Sequence, residues 1–295
     1  MNGKSQGKSP DAVNLDARRV EQALAGQAVG HTLLHRVRVP STMPLARELA
    51  ERAAQPGDVA GAVVVAEEQT AGRGRLDRRW DAPPGQALLS STLLAGSLLP
   101  PRPAQMVMIA GLAVLEAIRQ VTAGVNLALG LKWPNDVVVQ RPRGLGKLAG
   151  ILVEAVHGPA GLRYAVLGIG VNVNQSHADL PAPARPGIAP VSLHTLTGRI
   201  FSREELLIRQ CRALSQLLAP DTRPAPAEIQ RRWEKELIHR GAWITVVPLE
   251  QGGPPLVGRI VGVTLDGALR VEDADGVLHT VFAGDVTMEE RDGSV

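Results

Sequence analysis

Four segments of the chain concentrate side chains that can bind an anion or orient a polar ligand. The first is the run from Gln69 to Trp80, QTAGRGRLDRRW, which has four arginines within seven residues. Glycine lets backbone N–H groups approach an anion closely, and a guanidinium binds carboxylate or phosphate with two hydrogen bonds. Taken alone, this run is equally consistent with an anion-binding loop and with an exposed basic loop that contacts RNA.

The other three segments are KWPND at 132–136, GKLAGILVE at 146–154 and GIGVNVN at 168–174. Lys132 and Lys147 are two of five lysines, and both lie among apolar residues. A lysine buried without an anionic partner costs free energy, so Lys147 predicts a bound anion unless its amine reaches solvent at a strand edge. Pro-Asn-Asp also suits a plain β-turn, and the glycines at 168 and 170 leave room for a ligand or a neighbouring backbone.

The amino-acid composition limits the classes of protein to which this chain can belong. The 295 residues are 44% hydrophobic and 21% charged with a mean hydropathy of +0.02, as in soluble globular proteins of one or two domains. A net charge of +3 and an aromatic fraction of 2% argue against nucleic-acid binding. The apolar stretches are shorter than the roughly 18 residues that span a bilayer, and the N-terminus is polar, so we expect no membrane segment and a cytoplasmic location. The one cysteine, Cys211, excludes an internal disulfide, and its helical pattern predicts a buried thiol.

The hydrophobic pattern predicts an α/β (α+β) architecture. Residues 1–14 read as a disordered leader, followed by helices at 15–25, 43–54, 104–121, from the capping box Ser202/Glu205 to 218, and through Trp233. Strands are predicted at 61–66, 87–94, 137–139, 148–156 and 164–173, and their hairpins indicate a mixed or antiparallel sheet. The arginine run is then a loop of about 15 residues, a length that is often functional. After residue 242, short strands separated by Asp266-Gly267 and Asp275-Gly276 predict a small separate barrel.

The order of these motifs carries a family resemblance. Ser41-Thr42, the GRGR loop ending in Trp80, KWPND, KLAGILVE and GIGVNVN together closely resemble the biotin protein ligases over residues 35 to 290. The resemblance implies a class II synthetase-like catalytic domain with a mixed sheet and a C-terminal SH3-like β-barrel. The corresponding divisions are an N-terminal extension at 1–34, partly disordered, a catalytic domain at 35–238 and the barrel at 239–295.

The resemblance also implies the reaction and its residues. Biotin and ATP with Mg²⁺ would give biotinyl-5′-AMP, and a lysine of a biotin carboxyl carrier protein would then accept the biotinyl group. The implied catalytic residues are Lys147, Arg73 and Arg75. The implied biotin-binding residues are Ser41, Thr42, Met43, Gln69, Gly72, Arg73, Gly74, Arg75, Lys147 and Gly150. The implied ATP- and adenylate-binding residues are Arg78, Trp80, Lys132, Asn135, Asp136 and Asn172, with Mg²⁺ held through the ATP phosphates and Asp136 as a candidate ligand.

Three features depart from the family pattern. Met43 stands where an asparagine is common, and Leu76-Asp77 stands where a second basic residue and a glycine are usual. The second change removes a positive charge and adds a negative one, so it predicts weaker binding of the nucleotide. Residues 1–34 are too few for the winged helix of repressor members, so we expect no operator binding.

Alternative functions stay open at this stage. A lipoate or octanoyl protein ligase shares the catalytic fold and modifies a similar carrier lysine, although KWPND, KLAGILVE and the barrel favour biotin. A nucleic-acid binder fits only the isolated arginine loop. The expected partner is a carrier domain, a homodimer is left open, and neither nucleic acid nor membrane is expected to bind.

Overall fold

A computed structural model describes residues 14–76, 78–183, 187–248 and 254–288. All of the predicted disordered leader except residue 14 lies outside these described residues, as do Asp77 in the arginine loop and the last seven residues of the predicted barrel.

The larger sheet in the described residues is mixed and has eight strands. They are β1 (Leu33–Val39), β2 (Val63–Gln69), β3 (Ala87–Ala95), β4 (Leu129–Lys132), β5 (Asp136–Gln140), β6 (Leu145–Gly158), β7 (Gly161–Asn172) and β8 (Ile188–Pro190). The spatial order is β1-β2-β3-β7-β6-β5-β4, with β8 added alongside β6. β1 is parallel to β2 and β8 is parallel to β6, and the other pairs are antiparallel. The predicted class, a mixed sheet with helices, is therefore confirmed.

Helices cover both faces of this sheet. They are α1 (Ala17–Ala23), α2 (Thr42–Arg52), α3 (Met106–Val121), α4 (Leu193–Thr197), α5 (Arg203–Leu218) and α6 (Pro226–Glu236). Strand alternation on β7 separates the faces: Leu167 and Ile169 join the core with α3 and α5, whereas Tyr164 and Val166 join a second cluster with α2. Because side chains alternate, residues 168, 170 and 172 continue on the α2 face.

Several details differ from the expectations. β1, β4 and β8 were not predicted; β1 carries polar residues at its exposed edge, and parallel pairing with β2 depends on α2 as the crossover rather than on any local signal. Ser202 Oγ accepts from the Glu205 N–H at 3.1 Å. The Glu205 carboxylate pairs with Arg209 at 2.6 Å, so only half of the predicted capping box forms.

The most apolar helix belongs to the core. Contrary to the expectation that every apolar stretch is shorter than a membrane span, Pro103–Val121 is long and apolar enough to cross a membrane, but 67% of its apolar 18-residue window is buried inside the protein. α3 packs against α5 and the sheet, and this packing accounts for its apolar composition. Cys211 of α5 is fully buried as predicted, and burial raises the pKa of its thiol to about 12.

A second sheet of five antiparallel strands follows. Its strands are β9 (Trp243–Pro248), β10 (Leu256–Val263), β11 (Leu269–Glu272), β12 (Leu278–Val281) and β13 (Gly284–Met288), in the order β12-β11-β10-β9-β13. The predicted Asp-Gly hairpins are confirmed, with Gly267 and Gly276 at φ of 77° and 78°, the left-handed region that glycine adopts without strain. Closure into an SH3-like barrel and the boundary at residue 239 stay predictions.

Candidate active site

One cavity of about 380 Å³ collects nearly all the predicted site residues. It opens between the start of α2, the arginine loop, and the α2 face of β6 and β7. The predicted residues on its wall are Ser41, Thr42, Met43, Gln69, Arg73, Gly74, Arg75, Arg78, Trp80, Lys132, Asn135, Asp136, Lys147, Gly150 and Asn172.

Gly72 is the predicted site residue that is not among the wall residues. A Cβ at this position would come within 2.3 Å of the Trp80 carbonyl oxygen. The Trp80 N–H also donates to the Gly72 carbonyl at 3.0 Å. The structure therefore gives Gly72 a role in closing the loop rather than a place on the cavity wall.

The N-terminus of α2 supplies a polar end to the cavity. Ser41 caps the helix, and the Thr42 backbone N–H and Oγ1 both donate to Gln69 Oε1, at 2.8 and 3.0 Å. Thr42 Oγ1 also lies 2.7 Å from the hydroxyl of the buried Ser91. Linked hydroxyl and amide groups in a buried setting can orient a small uncharged polar group.

The floor of the cavity is flat because glycines face each other across two strands. Gly150 on β6 pairs with Gly170 on β7. A Cβ on Gly170 would lie 2.5 Å from Cε2 of Trp80, so the indole rests directly on this pair. A Cβ on Gly168 would lie 2.8 Å from Sδ of Met43. The unusual Met43 therefore fills the space over Gly168 with its thioether instead of making a polar contact.

A lysine and a carboxylate lie beside this floor. Lys147 Nζ is 2.7 Å from Asp136 Oδ1 and 5.8 Å from the centre of the Trp80 ring. The expected anionic partner of Lys147 is thus supplied here by the protein itself. Burial lowers the pKa of the Lys132 ammonium, and the charge of Asp136 partly opposes that shift.

The arginine loop is held by backbone hydrogen bonds of its own. The Gly74 N–H donates to the Arg78 carbonyl at 2.7 Å, and residues 73 and 79 form an isolated bridge. Three arginines contact different parts of the fold: Arg73 contacts Glu154 of β6 at 3.0 Å, Arg75 contacts Asn135 in the turn before β5 at 3.4 Å, and Arg78 contacts Asp285 of β13 at 2.8 Å. Glu154 also accepts from Arg47 of α2 at 2.6 Å.

Asp285 is a wall residue that the sequence did not indicate. It lies on β13 of the second sheet and more than 200 positions from Arg78. Two hydrogen bonds join segments that adjoin strands of the second sheet to the β4 region: the Trp133 indole donates to the carbonyl of Gly267, in the turn before β11, at 2.9 Å, and the N–H of Ile238, before β9, donates to the Leu131 carbonyl at 2.8 Å. No local motif predicts a contact of this range. Gly168 and Gly170, by contrast, were signalled by their alternation, although neither was assigned a ligand.

The donor set suits Mg²⁺ held mainly by a nucleotide. Among residues 14–76, 78–183, 187–248 and 254–288, no group of three or more His, Cys, Asp and Glu side chains could hold a metal ion. Mg²⁺ commonly keeps its waters and binds one or two carboxylates together with substrate phosphates. Asp136 offers one carboxylate on the cavity wall, and its Oδ1 pairs with Lys147 Nζ at 2.7 Å.

Comparison with known proteins identifies the family of this chain. Residues 36–172 match the Biotin/lipoate A/B protein ligase family, and residues 247–288 match the biotin protein ligase C terminal domain. The biotin--[acetyl-CoA-carboxylase] ligase of Mycobacterium tuberculosis is 34% identical, covering 92% of this chain and 95% of the relative. The bifunctional ligase/repressor of Bacillus subtilis is 26% identical, covering 93% and 79%.

A solved structure supports the same family assignment. The Aquifex aeolicus biotin protein ligase in complex with biotin and ATP is 26% identical with a TM-score of 0.67, covering 88% of this chain and 98% of that one. The fold is thus that of a protein ligase. The chain belongs to the biotin protein ligase family and is a biotin ligase enzyme.

Proposed function

We propose that this enzyme joins biotin to ATP as biotinyl-5′-AMP, releasing pyrophosphate, and then transfers the biotinyl group to a lysine of a biotin carboxyl carrier protein. The observation that carries the proposal is that Lys147, the loop arginines and Trp80 line one cavity, in which the indole of Trp80 lies on a glycine floor. Further support comes from the biotin and ATP named in the Aquifex complex.

The cavity has a suitable region for each part of biotin. The ureido group needs polar partners, which Thr42, Gln69 and the start of α2 supply. The fused rings and the aliphatic chain need an apolar floor, which Met43 and Leu152 provide over the glycines. The carboxylate would then reach Lys147 and Arg73.

In the first step a biotin carboxylate oxygen attacks the α-phosphorus of ATP, a P–O bond forms, and the bond to pyrophosphate breaks. Both reactants are anionic, so catalysis needs cations that hold them together and stabilise charge on the phosphoryl oxygens. Lys147, Arg73 and Arg75 are assigned this work. Asp136 would hold Mg²⁺, which, when bound, screens the phosphate charge and assists departure of pyrophosphate.

The loop arginines are assigned a second role as a movable cover. In the free protein Arg73 and Arg78 bind Glu154 and Asp285. Phosphate and carboxylate groups of the ligands would replace these protein carboxylates and draw the loop over the cavity. A closed loop excludes water from the adenylate, which is a mixed anhydride and hydrolyses readily.

In the second step the carrier's lysine amine attacks the acyl carbon of the adenylate. A C–N bond forms, the C–O bond to the phosphate breaks, AMP leaves, and the amine loses a proton. We further propose that the chain acts in the cytoplasm on a carboxylase carrier domain and does not bind an operator. The near-neutral net charge of +3 supports the last point.

Isotope exchange of pyrophosphate into ATP tests this function, measured with biotin, with lipoate and with no acid. Exchange should require biotin, and Lys147→Ala should reduce its rate at least about 100-fold, as expected for a cation that stabilises the transition state. Lys235→Ala, which removes an exposed lysine of α6, is the matched control and should leave the rate unchanged. Exchange with lipoate alone would assign the chain to the sister activity, and biotin-independent exchange would contradict the proposal.

A further inference from the structure

A buried pair of amide side chains lies at one end of the cavity. Asn172, at the end of β7, is 5% exposed and lines the wall, whereas Gln175 is 1% exposed and is not among the wall residues. Gln175 Nε2 donates to Asn172 Oδ1 at 2.7 Å, and Gln175 Oε1 accepts from the Val173 backbone N–H at 2.8 Å.

The direction of these hydrogen bonds is fixed by the backbone. A backbone N–H can only donate, so Gln175 must turn its oxygen toward Val173 and its NH₂ group toward Asn172. Asn172 must then meet Gln175 with its own oxygen. Its amide nitrogen is the polar end left for the cavity side, where it lies 3.4 Å from the Lys147 carbonyl oxygen. An amide nitrogen carries two hydrogens, so one long bond to a carbonyl does not exhaust its capacity to donate.

Gln175 is itself held in place. The Ser192 hydroxyl donates to the backbone carbonyl oxygen of Gln175 at 2.6 Å. Ser192 is fully buried and caps the N-terminus of α4. The amide pair is therefore anchored to two elements of the scaffold, and rotation of Asn172 would leave buried polar groups unsatisfied.

We infer that Gln175 is a positioning residue that fixes Asn172 as a hydrogen-bond donor to the nucleotide. This inference rests on the proposed function, because it assumes that ATP occupies this part of the cavity. The amide nitrogen of Asn172 then donates to an acceptor atom of the nucleotide, either a phosphate oxygen or a ring nitrogen. Asn172 Oδ1 does not bind Mg²⁺, because it accepts from Gln175. Gln175 makes no contact with the ligand and acts through Asn172.

A double-mutant cycle tests the coupling, with the dissociation constant of ATP in Mg²⁺ buffer measured by calorimetry on the full chain. Gln175→Met removes the donor at similar length and should weaken ATP binding about tenfold, the effect of one misplaced hydrogen bond. In an Asn172→Ala background the same change should have no further effect. An equal loss in both backgrounds would show that Gln175 does not act through Asn172 and would overturn the inference.

Asn172→Asp distinguishes donor from acceptor without disturbing Gln175. One aspartate oxygen still accepts from Gln175, while the other faces the cavity without a hydrogen. We expect ATP binding to weaken at least about tenfold because a donor is replaced by a charged acceptor. Unchanged or tighter binding in Mg²⁺ would show that an oxygen is the functional atom at this position and would overturn the inference.

Gln105→Met is the matched control. Gln105 is also 1% exposed, donates to the Pro226 and Leu265 carbonyls, and is not a wall residue. The Gln105→Met variant should have a lower melting temperature than the wild type, while its dissociation constant for ATP stays within about twofold of the wild-type value. Wild-type protein that binds ATP but shows no biotin-dependent exchange would refute the proposed function alone, whereas an additive cycle in an active enzyme would refute this inference alone.

Discussion

The floor of the cavity and the loop above it are built on different principles. The floor depends on strand register and burial: Gly150 faces Gly170, and Asn172 is locked by a glutamine that is 1% exposed. The loop has a few backbone hydrogen bonds of its own, and Arg73 and Arg78 join it to β6 and β13 through ion pairs in which these arginines are 52% and 43% exposed. The floor is therefore fixed before any ligand arrives, while the loop contacts can be exchanged for ligand contacts.

The energetics of the two regions match these roles. Exposed ion pairs contribute about 0 to 1 kcal/mol each, because water and salt screen them. Replacing such pairs by ligand phosphates costs little, so a cover held this way can open and close. A closely packed floor has no comparable freedom, since a single added methyl group must displace its neighbours.

Among changes that compare the floor with the loop, the largest effect is expected from disturbing the floor. Gly170→Ala places a Cβ 2.5 Å from the Trp80 ring, so the indole must move, and displacements of about 1 Å near reacting groups can reduce rates 100-fold. We expect kcat/KM for ATP in pyrophosphate exchange to fall by about 10- to 100-fold. Gly158→Ala is the control on the neighbouring strand, where a Cβ meets only Arg163 atoms at 3.9 Å. Equal rates for the two variants would mean that the floor does not position Trp80.

An intermediate effect is expected from one arginine of the loop. Arg75→Gly removes the charged contact proposed between this residue and the adenylate, and biotinyl-5′-AMP should dissociate about tenfold faster, as expected for one hydrogen bond to a charged group. Release of radiolabelled adenylate measures this rate. Arg75→Lys, which keeps the charge, should restore part of the retention. Wild-type retention in the glycine variant would show that the loop does not hold the intermediate through this residue.

The smallest effect is expected from the contact between the loop and the second sheet. Asp285→Ala removes the partner of Arg78, and hydrogen exchange of the loop amides at Gly74 and Trp80 should accelerate no more than about fivefold, the limit for an exposed ion pair. Asp266→Ala is the matched control. It removes the ion pair with Arg102, which also joins the second sheet to the rest of the chain, and neither residue lines the cavity. Its loop amides should exchange at the wild-type rate, and acceleration in both variants would assign the effect to loosening of the second sheet.

The sequence predicted most of the regular elements because each has a strong local pattern. Predicted helix 104–121 corresponds to α3, and predicted strand 87–94 corresponds to β3, which is buried along its whole length. β1 was missed because its pattern is polar at the exposed edge and its partner is parallel. The candidate site was found as four separate motifs, and their convergence on one wall depends on the register of β6 and β7.

The chain alone determined the types of chemical group and their local settings: the arginines, the two lysines and the glycines of alternating strands. Only the tertiary structure decided which groups meet, because the contacts from Arg73 to Glu154 and from Arg78 to Asp285 join positions separated by 81 and 207 residues. The same holds for Gly72, which closes the loop. Local patterns record helix and strand propensity and burial. Which groups contact each other at the site depends on segments that are far apart in the chain and meet only when the sheets form.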